Sequence, residues 1–391
     1  MDWLYLFYAL LATLLVYGAK VYGPKEWNEE CFSHKQTKAL LGFTALCIFL
    51  HHAGQKTAAP WHEWRYIVHG LDVFIPYGYF FVALFLFCSG FGLYKSLKSK
   101  KDYLRHFIRR RILPVVIAFY ISEIIFTVVR LLMGQKMNFG QILIYLSGAQ
   151  LANSNAWYAV AIPFFYLLFW FAFRFVKKDG LSLLIVWLGT LLYTLLGVFV
   201  DHNDWLMTGE WWYNSIWLFP MGLMFGRFEI SLTKAAKKLW PLFTVLAILG
   251  TVAFTDLAVK ATDSWWGYYG ETWFDPLKIP HRLMCCGMQW MASFSFVCAV
   301  FLLMMKVKLG NPVLSFLGSM TLEFYLIHGL FLELFGYSFL DLVKPLNYIK
   351  NVPLYLCVTL PCSILAALIL KGLLTPINKA LRGNRDLSIN K

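Results

Sequence analysis

Most of the chain is taken up by apolar stretches of roughly 17 to 25 residues, the length a helix needs to cross the hydrocarbon core of a bilayer. They fall at 2–21, 39–55, 73–94, 112–133, 155–173, 181–200, 213–226, 240–258, 285–305, 313–339 and 353–373. A transmembrane barrel would instead show alternating segments of about ten residues, and none is visible. With 59% hydrophobic and only 14% charged residues, the 391-residue chain lacks the polar surface that a soluble globule of its size requires. The sequence therefore predicts an all-α fold, a polytopic transmembrane helical bundle of about 11 spans. The stretch at 213–226 is the shortest and is interrupted by Asn214 and Pro220.

Lys and Arg test this partition, because the segments between real spans should alternate between basic and basic-poor. They do so at every crossing. One set holds Lys20, Lys25, Lys35 and Lys38, then Lys95 to Arg111, then Arg174, Lys177 and Lys178. It continues with Arg227, Lys234, Lys237 and Lys238, then Lys306 and Lys308, and last Lys371, Lys379, Arg382, Arg385 and Lys391. The basic side should be cytoplasmic, which places the N-terminus outside and the C-terminus in the cytoplasm. The net charge of +14 is then a topological signature directed at anionic lipid headgroups, and nucleic acid is not an expected partner. The opposite segments carry acids and tryptophans: Asp201, Asp204, Glu210, Trp205, Trp211 and Trp212, then Asp263, Glu271, Asp275, Trp265, Trp266 and Trp273. Such tryptophans form an interfacial belt or, on the functional reading, a platform on which a sugar stacks.

The domain organisation follows. Residues 1–35 form an extra first helix and a cytoplasmic loop, 36–374 the main membrane domain, and 375–391 a cytoplasmic tail. Residues 1–21 lack a basic leading region, so they are expected to be a retained helix and not a cleaved signal peptide. The cysteines show neither a metal-ligand spacing nor a disulfide framework, and no metal is expected.

Imidazole within hydrocarbon is costly and usually marks chemistry or a proton path. The run KALLGFTALCIFLHH ends in His51 and His52. Lys38 precedes His52 by fourteen residues, about 21 Å along a helix and nearly on the same face. Adjacent residues point about 100° apart, so one of the two histidines faces the bundle interior, and the sequence does not say which. The tenth stretch carries Glu323, His328 and Glu333. Glu323 and His328 lie about 140° apart around the helix, so they are not obvious partners. Glu123 also sits within a span and is expected either to pair with a neighbouring helix or to stay protonated. The strongest cationic cluster, KSLKSKKDYLRHFIRRRILP at 95–114, includes Arg105, Arg109, Arg110 and Arg111. Guanidinium groups hold phosphate oxygens bidentately, so this loop suits the phosphates of a nucleotide-bearing donor. No Walker loop, dinucleotide fingerprint, zincin pattern or GXSXG elbow is present.

Four segments in order resemble the acyltransferase 3 family, polytopic enzymes that use acyl-CoA to acylate sugars and other cell-surface acceptors. LLGFTALCIFLHH is similar to the first core helix, with His52 at the family histidine. YFFVALFLFCSGFGLYKSLKSKKDYLRHFIRRRILP matches the FFxxSGF helix and arginine loop at Ser89, Gly90, Arg111 and Pro114. NSNAWYAVAIPFFYLLF matches at Trp157 and Tyr166, and LEFYLIHGLF at Tyr325 and His328. One position departs: the basic residue expected ten intervening places before the histidine is Leu41, and Lys38 lies one turn earlier.

The resemblance implies an integral membrane O-acyltransferase, multi-pass in the cell membrane. Its donor would be acyl-CoA, most simply acetyl-CoA, held by Arg105, Arg109, Arg110, Arg111 and Lys38. His52 would be the general base, with His51 and His328 as further catalytic candidates and Glu323, Trp157 and Tyr325 on the substrate side. The acceptor would be a carbohydrate or other cell-envelope hydroxyl. Direct attack on the thioester and an acylated protein intermediate both remain open. A proton-coupled transporter is the alternative that intramembrane histidines and acids also fit, and a non-catalytic scaffold or receptor is a third.

Overall fold

Each apolar stretch forms helix in the computed structural model, which describes residues 2–202, 205–265, 277–340 and 343–382. The helices are α1 (Asp2–Val16), α2 (His34–Thr57), α3 (Gly78–Ser99), α4 (Leu113–Leu132), α5 (Phe139–Ser147), α6 (Trp157–Phe175) and α7 (Asp179–Phe199). They continue as α8 (Leu218–Lys238), α9 (Trp240–Lys260), α10 (Lys278–Met304), α11 (Pro312–Leu317), α12 (Thr321–Phe335) and α13 (Val352–Arg382). Among the described residues, strand is confined to β1 (Lys20–Val21) paired with β2 (Val307–Lys308) and one isolated bridge.

Seven of the helical stretches are long and apolar enough to cross a membrane, those built on α3, α4, α6, α7, α9, α10 and α13. Helices α1 and α12, with 15 residues each, are shorter. Helix α2 is less apolar because it lies inside the bundle, where Gln36, Thr44 and Thr57 are buried and hydrogen-bonded. The expected stretch 2–21 stops as helix at Val16, where Gly18 turns the chain at φ +69°. The stretch 313–339 is broken between Leu317 and Thr321 into α11 and α12. The stretch 213–226 becomes α8, which starts at Leu218 and continues through a polar end to Lys238. Helix α5 was not expected from the sequence. The Asn138 side chain caps its start, and Gly148 at φ +75° ends it.

Two seams show how helices come close without the hydrophobic effect that joins them in water. Where α3 crosses α8, a Cβ at Gly90 would run into the Phe219 carbonyl oxygen, and one at Gly222 into that of Phe87. Where α2 crosses α11, Gly42 meets the Leu314 carbonyl and Gly318 that of Lys38 in the same reciprocal way.

The basic segments meet at one end of the bundle. Lys95 pairs with Glu229 at 2.5 Å, Lys237 with Glu29 at 2.7 Å, Lys98 with Asp179 at 2.5 Å and Lys308 with Glu30 at 2.5 Å. The segment between α1 and α2 is a strap sewn to this basic end. Besides the β1–β2 pairing, Asn28 donates to the carbonyls of Met304 and Val307. The Lys306 ammonium donates to the carbonyls of Gly23, Pro24 and Glu26 at 2.7–2.9 Å and lies 3.6 Å from the Trp27 ring centre. At the far end, Tyr8 donates to the Gly70 carbonyl, and buried Lys278 pairs with Asp201.

Candidate functional site

The seam of α2 and α12 is polar. His52 Nδ1 lies 2.7 Å from His328 Nε2, and the two rings are parallel with centres 5.0 Å apart. His328 is fully buried and its Nδ1 lies 2.9 Å from the Phe324 carbonyl oxygen. A carbonyl only accepts, so His328 Nδ1 carries a proton, and in the neutral ring Nε2 is then an acceptor. His52 Nδ1 must therefore donate to it. That fixes the His52 tautomer and leaves His52 Nε2 with a lone pair and no hydrogen-bond partner among the described residues.

His51 differs. Its Nδ1 lies 2.9 Å from the Phe74 carbonyl oxygen, and its Nε2 packs against Gly78, where a Cβ would strike the ring. The two histidines differ in their partners: His51 joins α2 to the turn before α3, and His52 joins α12.

One turn beyond the histidine pair, Lys56 of α2 and Glu333 of α12 form an ion pair at 2.8 Å, with side chains only 11% and 9% exposed. A Glu333 carboxylate oxygen also accepts from the Leu340 backbone N–H at 2.6 Å.

A cavity of about 1130 Å³ opens at the basic end and runs inward between α2, α3, α6 and α12. Its rim carries Glu29, Glu30, His34, Lys38, Lys95, Lys100 and Arg111, and its inner wall is formed by Ala45, Ile48, Phe85, Ser89, Tyr158 and Tyr325. Hydrogen bonding and the charge of Lys308 hold the Glu30 carboxyl below its ordinary range, so the rim keeps anionic as well as cationic groups. The inner wall stops at Ile48 and Tyr325, one helical turn before His52 and His328 on the same helices. The Tyr325 ring centre is 6.1 Å from that of His328. The Tyr325 hydroxyl donates to the Asn155 carbonyl and accepts from the Tyr158 backbone N–H.

The loop before α6 sets that geometry. Glu123 of α4 accepts from the backbone N–H groups of Ala152 and Asn153, so its partner is this loop and not a neighbouring helix side chain. Arg130 donates twice to the Ala152 carbonyl. The Asn153 side chain donates to Ser122 Oγ and to the Leu326 carbonyl. The loop thereby presses the Asn155 carbonyl onto Tyr325. No motif read from the sequence points to this buried role of Asn153.

The remaining expected residues separate. Lys38, Arg111, Tyr166 and Tyr325 line the cavity, as does Leu41 at the departing motif position. Arg111 Nε donates to the Tyr103 hydroxyl at 3.1 Å. Arg105, Arg109 and Arg110 are exposed and do not line it, and Arg109 donates to the Ala380 carbonyl on α13. Glu323 is half-buried outside the cavity. Trp157 is buried against Trp212, their ring centres 6.0 Å apart, which makes both core residues. Trp205 and Trp265 are exposed, whereas Asp204, Trp266, Glu271, Trp273 and Asp275 lie outside the described residues, as does the tail from 383 onward. Lys95 and Lys100 belong to the cationic cluster expected to hold phosphates, whereas His34 and Tyr158 were not singled out by sequence. Tyr158 follows the motif Trp157 directly, and that adjacency was the available signal. Among the described residues no three His, Cys, Asp or Glu side chains converge as a metal site.

A helical membrane protein whose basic-rimmed cavity leads toward a buried histidine pair is the class these features define. The chain belongs to the acyltransferase 3 family: the family model, described as an acyltransferase domain, matches residues 39–369, as the four motif segments led us to expect. No curated protein and no solved structure matches the chain.

Proposed function

We propose that the protein transfers an acyl group, most simply acetyl, from acyl-CoA to a hydroxyl of a carbohydrate or other cell-envelope acceptor. The observation that carries this reading is the His52–His328 hydrogen bond, which leaves His52 Nε2 as a lone-pair base one turn, about 5 Å, beyond the inner end of the cavity. The bundle crosses the membrane about eleven times, its basic end in the cytoplasm and its N-terminus outside. The donor enters from the basic end, its phosphates held by the basic groups there and its thioester near Tyr158 and Tyr325.

His52 Nε2 takes the proton of the acceptor hydroxyl as its oxygen attacks the thioester carbonyl carbon. The C–S bond breaks, and the proton passes from His52 to the departing thiolate, leaving an ester and free CoA thiol. His328 orients His52 by accepting its Nδ1–H and stabilises the imidazolium that forms transiently. This direct route needs no acylated side chain.

The test uses purified full-length protein with radiolabelled acetyl-CoA and a panel of carbohydrate acceptors. Label on the acceptor is expected, and His52→Asn should abolish it. Label transfer that persists in His52→Asn would remove His52 as the base. Proton-driven solute flux without consumption of acetyl-CoA would favour the transporter.

A further inference from the structure

A second, smaller chamber of about 460 Å³ adjoins the main cavity at the basic end. It lies between the strap and α8, is lined by Asn28, Cys31, Thr233, Lys234 and Lys237, and shares Glu29, Phe32, Lys95 and Glu229 with the main cavity. The shared wall therefore holds the Lys95–Glu229 ion pair and Glu29, whose partner Lys237 lies on the second chamber's side. Lys234 is exposed at its edge and has no carboxylate partner among the described residues. Thr233 Oγ1 is buried without a hydrogen-bond partner. One chamber thus offers three ammonium groups, one of them unpaired, an unsatisfied hydroxyl, and a floor containing Phe32. These groups suit a phosphorylated nucleoside, whose phosphates take the lysines while the base lies against the apolar floor.

Resting on the acyl-CoA reading above, we propose that the nucleotide end of the donor occupies this second chamber while the acyl-bearing arm alone enters the main cavity. The strap, which precedes the family match at residue 39, supplies one wall, so donor recognition extends beyond the family domain. Glu29 and Glu229 hold Lys237 and Lys95 until donor phosphates replace them.

The experiment uses the full chain in nanodiscs of zwitterionic lipid and two readouts. Binding of adenosine 3′,5′-bisphosphate, the nucleotide end alone, is measured for wild type, Lys234→Glu and Glu29→Gln. Lys234→Glu should weaken it about tenfold, and Glu29→Gln, which frees Lys237, should tighten it about threefold. In turnover, Lys234→Glu should raise KM for acetyl-CoA by a similar factor and leave KM for acetyl-pantetheine, which lacks the nucleotide, unchanged. Wild type that does not bind the nucleotide, or a Lys234→Glu variant that shifts both donors equally, overturns the proposal. An effect of Lys234→Glu that appears only when anionic lipid is added also overturns it, since the chamber would then hold a headgroup. Nucleotide binding that responds to both variants, without turnover of either donor, supports the chamber and defeats the acyltransferase reading instead.

Discussion

The seam of α3 with α8 and the seam of α2 with α12 both join two helices of one bundle, yet by opposite means. The first brings backbones together at Gly90 and Gly222 and needs no polar side chain. The second is a polar ladder of side chains, His52 to His328 and then Lys56 to Glu333. In hydrocarbon the first gains from van der Waals packing, while the second carries groups that must be paired or they cost several kcal/mol each. The close-packed seam holds backbone to backbone, and the polar seam carries the groups proposed as catalytic.

The largest effect should come from forcing the first seam open. Gly222→Leu places a branched side chain where the Phe87 carbonyl stands, and no rotamer avoids backbone. Folded, monodisperse protein should be lost in detergent extraction. Wild-type yield and melting temperature in Gly222→Leu would show that the seam is not a tight one.

Next comes the proposed base. His52→Asn should lower acetyl transfer by about 10²–10⁴-fold while leaving the melting temperature within a few degrees. His51→Asn should do the reverse, because its ring ties α2 to the Phe74 carbonyl and packs on Gly78. A His51 variant that loses transfer with unchanged melting would reverse the roles given to the two rings.

The Lys56–Glu333 pair sharpens the comparison by a double-mutant cycle. Lys56→Met or Glu333→Gln alone removes one half of a poorly solvated ion pair and should destabilise by about 3 kcal/mol, whereas the double variant should regain most of that loss. Additive losses would mean that the two groups do not depend on one another. The Leu340 N–H that Glu333 also holds makes recovery incomplete.

How much of this was legible in the sequence differs between the two seams. Helix positions were readable because apolar length is a property of each stretch alone. The close crossing was half readable, since Gly90 stood in a motif but Gly222 did not. His52 and His328 were visible as costly groups in hydrocarbon, while their pairing depends on α12 lying against α2, which spacing along one helix cannot report. Lys56 was missed because the expected span 39–55 stopped one residue before it. The arginine loop separates in the structure: Arg105, Arg109, Arg110 and Arg111 carry the same charge, yet of these Arg111 alone lines the cavity. The strap looked like an appended segment, because its attachment is made of backbone carbonyls around Lys306 and leaves no pattern in composition.

The smallest expected effect lies beyond both seams, at the far end between α7 and α8. Burial, and then the charges of Arg282 and Lys278, push the His202 imidazole down to about 4, and its Nε2 lies 3.3 Å from the Tyr213 hydroxyl. In the unfolded chain this ring titrates near 6.5. Between those values the unfolded state binds the proton and the folded state does not, so stability is unaffected above about pH 6.5 and falls as pH drops toward 4. His202→Phe removes the titration but also the hydroxyl contact. It should therefore melt slightly lower than wild type at pH 7.5, and the difference should shrink or change sign at pH 5. A wild-type melting curve that is flat from pH 7 to 5, or a variant that keeps the wild-type slope, would place the acid sensitivity elsewhere.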